Sequence, residues 1–303
     1  MDKIVLYNGV SIPNLCFGTG ITNIYDVGIK RKVNLFKDYI RVILNKNRKI
    51  CLMNINLEKI IDISMKNGCC CFDTSRAYGA SELVLGRTLK KYSREDYFLI
   101  TKLCNDDQYN SDVKSGFEKS IRELQTDYID LYLMHWPVEG KFLDSWREME
   151  NLYKQGKCRA IGVCNFNIHH LELLRKNAEI MPMVNEIECH PLFTQNELRD
   201  YCYNNNIKVM AYTSTARMDD RLNNTCLVPI SKKYNKTIPQ IILRWHQQIG
   251  NIPIVNSSNK EHMIANIDIK DFVLTDKELD GISAININSR LRYDPDNCDF
   301  SKL

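Results

Sequence analysis

The sequence predicts an α/β chain folded as a (β/α)8 TIM barrel, with an N-terminal β-hairpin and an inserted basic helical segment after the first barrel strand. Three observations carry that expectation. Eight short apolar runs recur along the chain, helical patterns separate them, and no glycine-rich phosphate turn follows the first run. Runs so uniformly apolar suit parallel strands covered on both faces rather than a sheet with one wet side.

The opening segment IVLYNGVSIP places Asn8-Gly9 between two apolar runs, the signature of a hairpin turn. The strand runs then follow as LCFGTG, CCCFDTS, YFLITKL, IDLYLMHW, AIGVCNF, MVNEIEC, IKVMAYTS and IPIVNSS. Between them, Leu57, Ile60, Ile61, Ser64 and Met65 share one helical face, and Gly68 is placed to stop that helix. Val113, Phe117, Ile121 and Leu124 form a second stripe. Thr194 with Glu197, and Thr275 with Glu278, read as capping boxes. Pro239 belongs in the first turn of a helix carrying Ile241, Ile242 and Trp245. A doubly wound sheet is the main rival, but GTGITN after the first strand does not match the GxGxxG that such a sheet ordinarily brings. The expectation is therefore one barrel domain over 1–303, with an insertion at about 25–52.

With 44% hydrophobic and 26% charged residues, the composition is that of a soluble globular protein. No run approaches the roughly 18 to 20 apolar residues of a membrane span, and the N-terminus lacks a signal-peptide layout. A cytoplasmic location is expected. Twelve cysteines are present, but Cys69, Cys70 and Cys71 are consecutive within an apolar run and no CxxC pair occurs. Reduced thiols are expected, with neither a disulfide framework nor a metal site; Cys189-His190 lacks partners at ligand spacing. His190 reads as a core histidine, His169 and His170 as surface residues opening a helix after Asn167. The formal net charge of +4 is uneven. Residues 28–50 hold eight basic residues against one acid, +7, leaving −3 for the remainder. A helix is expected there from about Lys32 to Leu44, either a solvated face, a lid over the catalytic mouth, or an attractor of anionic molecules. Phe36 and Tyr39 are its only aromatics and no nucleic-acid motif accompanies it, so neither a nucleic acid nor a membrane is expected as partner.

Active residues of such barrels project from the C-terminal strand ends. Reading those ends gives Asp73 and Tyr78 after the second barrel strand, Lys102 at the third and His135 at the fourth. Together they suit proton donation. A tyrosine is a slow acid at neutral pH unless tuned, a nearby ammonium lowers its pKa, a carboxylate holds the ammonium, and an imidazole orients the substrate oxygen.

The strings CFDTSRAYGASELVLG, ITKL, IDLYLMHWP, AIGVCNF, MVNEIECHP, AYTS and IVNSSNKEHMIAN, in this order, resemble the aldo-keto reductase family. The resemblance implies that Asp73, Tyr78, Lys102 and His135 are the catalytic tetrad of an NAD(P)(H)-dependent oxidoreductase that reduces an aldehyde or ketone to an alcohol, or the reverse. It implies a nicotinamide dinucleotide, NADP(H) or NAD(H), bound without a Rossmann domain. Thr19 and Gly20 would lie by the nicotinamide ribose, Asn165 and Glu186 would hold the carboxamide, Tyr212 would stack on the ring, and Asp73 would also belong to the cofactor shell. Thr213, Ser214 and Thr215 would approach the pyrophosphate, and Asn256, Ser257, His262 and Asn266 the adenosine end. Cys104 and Trp136 would line the substrate pocket. The family-based expectation is a monomer acting on a small molecule, the alternative being a nicotinamide-binding regulatory or redox-sensing subunit.

Departures from the family pattern matter as much. Asn256 and His262 stand where the family usually has cations that grip a 2′-phosphate, and each lost charge-assisted bond removes about 1.5–3 kcal/mol. Ala265 replaces a usual Glu near the adenine. A relaxed or NAD-leaning preference follows, unless Lys260 or the basic segment supplies the charge. Glu186 replaces Gln; as a carboxylate it would accept from the carboxamide, not donate to it, and would favour the oxidised ring. Cys164 replaces Ser. Cys104, followed by Asn105, Asp106 and Asp107, replaces a pocket Trp and suggests a polar, hydroxylated substrate. Finally, 53 positions separate Gly20 from Asp73, more than the family needs there.

Overall fold

The computed structural model describes residues 2–20 and 52–300. The basic segment 28–50, its expected helix and its lid role fall outside the described residues. The chain opens with an antiparallel hairpin of β1 (Lys3–Val5) and β2 (Ser11–Pro13), Ile4 facing Ile12. Gly9 turns it at φ 87°, a conformation that side chains resist. Leu6 and Ile12 are buried, and the Asn8 Nδ2 donates to the Arg159 carbonyl oxygen at 2.9 Å. The hairpin is thereby fastened to the start of a barrel strand.

Eight parallel strands close the barrel: β3 (Cys16–Gly18), β4 (Cys71–Asp73), β5 (Phe98–Leu103), β6 (Ile129–Met134), β7 (Cys158–Cys164), β8 (Val184–Glu188), β9 (Lys208–Tyr212) and β10 (Ile252–Val255). Each pairs with its successor, and β10 returns to β3 with Ile254 opposite Cys16 and Val255 opposite Phe17. All eight runs expected as strands are barrel strands. In β3, β4, β5, β6, β8 and β10 every residue is buried, which is why these runs lack the alternation of a half-wet sheet.

The helices follow their stripes. The helix Leu52–Lys66 buries Leu57, Ile60, Ile61 and Ser64, and Gly68 follows it at φ 82°. The helix Val113–Leu124 buries Val113, Phe117 and Leu124. Thr275 and Glu278 form a capping box, and Pro239 lies in the first turn of Ile238–Gln248, which carries a further box from Thr237 and Gln240. The box expected at Thr194 and Glu197 is absent. There the helix Asn196–Asn204 starts from Gln195 in the left-handed region, φ 49° and ψ 47°, without a side-chain cap. Tertiary bonds override the local signal: the Thr194 N–H donates to Asn286 Oδ1, and Gln195 Nε2 donates to the Glu188 carbonyl oxygen. No described helix is long and apolar enough to cross a membrane.

At the N-terminal end of the barrel the buried Asp130 carboxylate accepts from Arg94 at 2.6 Å, Arg159 at 2.7 Å and the Leu99 N–H at 2.9 Å. Three donors on one buried acid brace β5, β6 and β7 at the end opposite the cavity. Higher in the wall, Gly162 lets β7 approach β8. A methyl there would lie 2.6 Å from the Val184 carbonyl oxygen and 2.7 Å from Leu133 Cδ2. Gly162→Ala is expected to lower unfolding free energy by about 1–3 kcal/mol through overpacking. Denaturant melts check this; an unchanged midpoint contradicts the close approach.

Candidate active site

The site grows from the ends of four strands. Asp73 closes β4, and its carboxylate pairs with the Lys102 ammonium, which rises from within β5. Lys102 is 1% exposed; its Nζ also lies 3.3 Å from the Thr74 carbonyl oxygen and 3.4 Å from Glu186 Oε2 on β8. Tyr78 ends the short turn Arg76–Tyr78, which Ser75 caps by accepting from the Ala77 N–H at 3.2 Å. Gly20 makes room for it, since a Cβ there would lie 3.1 Å from the Tyr78 ring. Lys102 Nζ is 5.4 Å from the centre of that ring. His135, just past β6, stands edge-to-face with Tyr78 at 5.8 Å, its Nδ1 3.4 Å from Ser75 Oγ. Acid, phenol, amine and imidazole thus converge as the strand-end reading requires.

Burial decides their ionisation. Lys102 is pushed down by burial but more strongly up by Asp73, Glu186 and Tyr78, so it stays an ammonium. Burial raises the Glu186 carboxyl to about 8, helped by the Asp73 charge and opposed by Lys102. Glu186 thus holds a proton more firmly than an ordinary carboxyl, as does Asp73, which burial also raises, and when protonated Glu186 can donate to an amide oxygen. The expectation for Tyr78 is corrected. Lys102 does lower its pKa, but burial outweighs the ammonium and raises it above the ordinary tyrosine value. Burial, then Lys102, lowers His135 to about 3, so its ring is neutral.

These groups open into a cavity of about 280 Å3. Of the expected residues, Gly20, Asp73, Tyr78, His135, Trp136, Asn165, Glu186 and Tyr212 line it, as do Thr213, Ser214, Thr215, Asn256 and Asn266. Asn165, at φ 65°, accepts from the Tyr212 hydroxyl at 2.7 Å and donates to the His135 carbonyl oxygen at 3.0 Å. Ser214 Oγ donates to the Ile254 carbonyl oxygen at 2.8 Å, and Asn256 Nδ2 to that of Gly20 at 2.5 Å.

Other expected residues sit outside the lining. Thr19 is buried behind it, donating to the Asp73 carbonyl oxygen and accepting from Ser81. Cys104 is buried against Arg76 and Asp107, its thiol pushed up to about 12 by burial. The polar wall expected from Asn105 to Asp107 does not face the cavity. Asp107 pairs with Arg76, while Asn105 Nδ2 donates to the Phe300 carbonyl oxygen at 3.2 Å. Ser257 accepts from the Asn259 N–H, and His262 is exposed on the helix that Asn259 caps.

Sequence reasoning missed Arg217, Arg292 and Tyr293, which also line the cavity. Arg217 is the middle of three consecutive left-handed residues, 216 to 218, at φ 50°, 54° and 55°. Arg292 and Tyr293 arrive on the C-terminal segment, whose Leu291 and Arg292 N–H groups donate to the buried Glu188 carboxylate at 2.6 and 3.1 Å. A buried acid at the end of β8 was the available signal. His169, His170 and Asp296 form a cluster with ligand-capable atoms in reach of one another. His170 is no surface residue, however: its ring packs on Phe142 and Phe166, and its Nδ1 accepts from the Asn167 N–H at 3.1 Å. That bond places the ring hydrogen on Nε2, which suits donation to His169 or Asp296 rather than metal ligation.

The Aldo/keto reductase family model matches residues 56–287. The chain belongs to the aldo/keto reductase family. It is 44% identical over 300 residues to a glyoxal reductase of Bacillus subtilis (strain 168), covering 99% of this chain and 98% of the relative. It is 40% identical over 229 residues to a 9,11-endoperoxide prostaglandin H2 reductase of Trypanosoma cruzi (strain CL Brener), covering 74% and 81%. An aldo-keto reductase from a Medee basin deep-sea metagenome library superposes with TM-score 0.83 at 33% identity, over 98% and 100% of the two chains. A Bombyx mori aldo-keto reductase solved in complex with NADP superposes with TM-score 0.82 at 29% identity, over 97% and 96%. As a member, the chain is an NAD(P)-dependent oxidoreductase. Because its His135 is held neutral down to about pH 3, this reductase is expected to show no acid limb near the ordinary histidine value of 6.5. Turnover followed from pH 5 to pH 8 checks this; a limb near 6.5 that His135→Gln abolishes contradicts it.

Proposed function

We propose that this reductase converts a small aldehyde or ketone to its alcohol, with Tyr78 donating the proton. One observation carries the reading: a buried ammonium, Lys102, lies beneath Tyr78 beside a neutral His135, and both rings face the same cavity. A bound nicotinamide cofactor supplies the hydride. The cavity suits its nicotinamide end, with Tyr212 as an aromatic wall and Glu186 Oε2 as a buried oxygen without a hydrogen-bond partner.

The residues divide the work on the substrate. Ser75 Oγ, which accepts from the Ala77 N–H, lies 3.4 Å from His135 Nδ1, and in this reading its hydroxyl donates to that nitrogen. The other ring nitrogen then carries a hydrogen and donates to the carbonyl oxygen, orienting it. As negative charge grows on that oxygen, Tyr78 gives up its hydroxyl proton, and Lys102 stabilises the phenolate left behind. Solvent returns the proton to Tyr78. Asp73 holds Lys102 in place throughout. The name of the 44%-identical relative supports a small reactive aldehyde, such as a 1,2-dicarbonyl, as the substrate.

Tyr78→Phe is expected to cut turnover by about 10²–10⁴-fold while leaving cofactor affinity unchanged. Steady-state rates and cofactor fluorescence titrations check both halves. Equal turnover in the two proteins, with cofactor bound, would favour a redox-sensing subunit instead. For the cofactor itself, Asn256 spends its amide on Gly20 and His262 is exposed outside the cavity lining. NADPH and NADH are expected to bind within about tenfold of each other, since charge-assisted phosphate bonds are what separate them. Side-by-side titration decides; NADPH binding more than tenfold tighter refutes it.

A further inference from the structure

We propose that Glu186 makes this barrel's choice between oxidised and reduced nicotinamide depend on pH, its carboxyl facing the ring site as a group that ionises there. The inference rests on the reading that the cavity holds the nicotinamide. Its geometric basis is the state of the side chain. Glu186 is 3% exposed and lines the cavity; its Oε2 is buried without a hydrogen-bond partner, and the Lys102 ammonium lies 3.4 Å from that oxygen. A cavity-lining carboxyl with unfilled bonding capacity is a place where a ligand group is expected to complete the bonding.

The charged and titratable groups around it come from every neighbouring element. Asp73 faces it from β4, Lys102 from β5, Cys164 from β7 and Cys16 from β3; Tyr78 faces it from its turn and Tyr212 from the end of β9. Lys102 and Asp73 compensate one another as a pair. Cys16, Cys164, Tyr78 and Tyr212 are all pushed above their ordinary values, chiefly by burial, and stay neutral. Asp73 and Glu186 are both raised by burial and act on one another; Glu186, raised to about 8, is the carboxyl through which this pair changes charge between neutral and mildly alkaline pH.

Protonated, Glu186 offers a hydrogen-bond donor that serves the carboxamide of either redox form. Ionised, it places a negative charge beside a ring that is positive when oxidised and neutral when reduced, so only the oxidised form gains. By linkage, the oxidised cofactor must lower the proton affinity of Glu186 by the factor that ionisation raises its own binding. Oxidised cofactor is thus expected to bind with release of a proton to the buffer near pH 7.5, and reduced cofactor without it. A glutamine, which cannot ionise, has no such coupling.

The test is binding, not turnover. NADP+ and NADPH are titrated against the full chain at pH 6.5 and pH 9, by tryptophan fluorescence, in wild type and Glu186→Gln. Calorimetry of the wild type at pH 7.5 in two buffers of different ionisation enthalpy counts protons. In wild type the ratio of Kd for NADP+ to Kd for NADPH is expected to fall about tenfold from pH 6.5 to pH 9 through the new charge interaction. In Glu186→Gln it should stay flat. A pH-independent ratio in wild type, or the same shift in Glu186→Gln, overturns the role of Glu186 while leaving the cofactor site intact. Equal proton release for both redox forms does the same, and needs no variant. Failure of the folded wild type to bind either form overturns the cofactor reading itself.

Discussion

A single buried ammonium organises this molecule's chemistry. Lys102 is 1% exposed within a barrel whose walls are almost wholly apolar, and an isolated charge there would cost several kcal/mol after relaxation. Asp73 offsets that cost by direct pairing. A second full negative charge would over-compensate the pair, so Glu186, pressed by burial and by Asp73, keeps its proton. Burial and the same ammonium keep His135 neutral. The protonation states around the cavity thus follow from burial acting on one cation and its carboxylate. Burial also outweighs the ammonium at Tyr78 and keeps its hydroxyl protonated.

The closed barrel makes that arrangement possible. Lys102 stands within β5 and Glu186 within β8, Asp73 ends β4 and His135 lies just past β6, and closure removes any sheet edge through which the groups could splay apart. The two ends of the barrel solve opposite problems. At the N-terminal end, Asp130 accepts from Arg94, Arg159 and a backbone N–H, and these bonds tie three strands together. At the C-terminal end, the cavity-lining Glu186 keeps a buried oxygen, Oε2, without a hydrogen-bond partner.

Much of this was legible in the sequence, for physical reasons that also mark the limits. The eight strands were readable because burial on both faces removes alternation, and the convergence of Asp73, Tyr78, Lys102 and His135 because strand ends are where side chains enter the mouth. What local pattern could not reveal was competition from distant partners. Thr194 and Glu197 carry the letters of a capping box, yet Asn286 takes the Thr194 N–H and the Glu188 carbonyl takes the Gln195 side chain from elsewhere in the chain. Asn105, Asp106 and Asp107 look like a wet pocket wall, yet Arg76 and Phe300 draw Asp107 and Asn105 inward. Arg292 and Tyr293 reach the cavity on a segment that Glu188, more than a hundred residues earlier, holds by two backbone N–H groups, with the Arg292 side chain also donating to Thr213. The sign of the Tyr78 shift was misjudged for a related reason: residue types reveal which charges are near, but not how much water remains.

The departure at Asn256 carries a structural meaning as well. The seam where the barrel closes, β10 against β3, holds a register of only two residue pairs, whereas β8 against β9 holds five. Asn256 lies just beyond that seam and donates to the Gly20 carbonyl oxygen, extending the β10–β3 connection by a side-chain bond at the rim of the cavity. A lysine at this position would put a cation within reach of a phosphate but would bring no carboxamide to bond the neighbouring strand end in this way. The amide that stands at this position therefore ties β10 to the end of β3 at the rim of the cavity. A substitution of Asn256 removes that tie along with whatever the side chain does for a ligand.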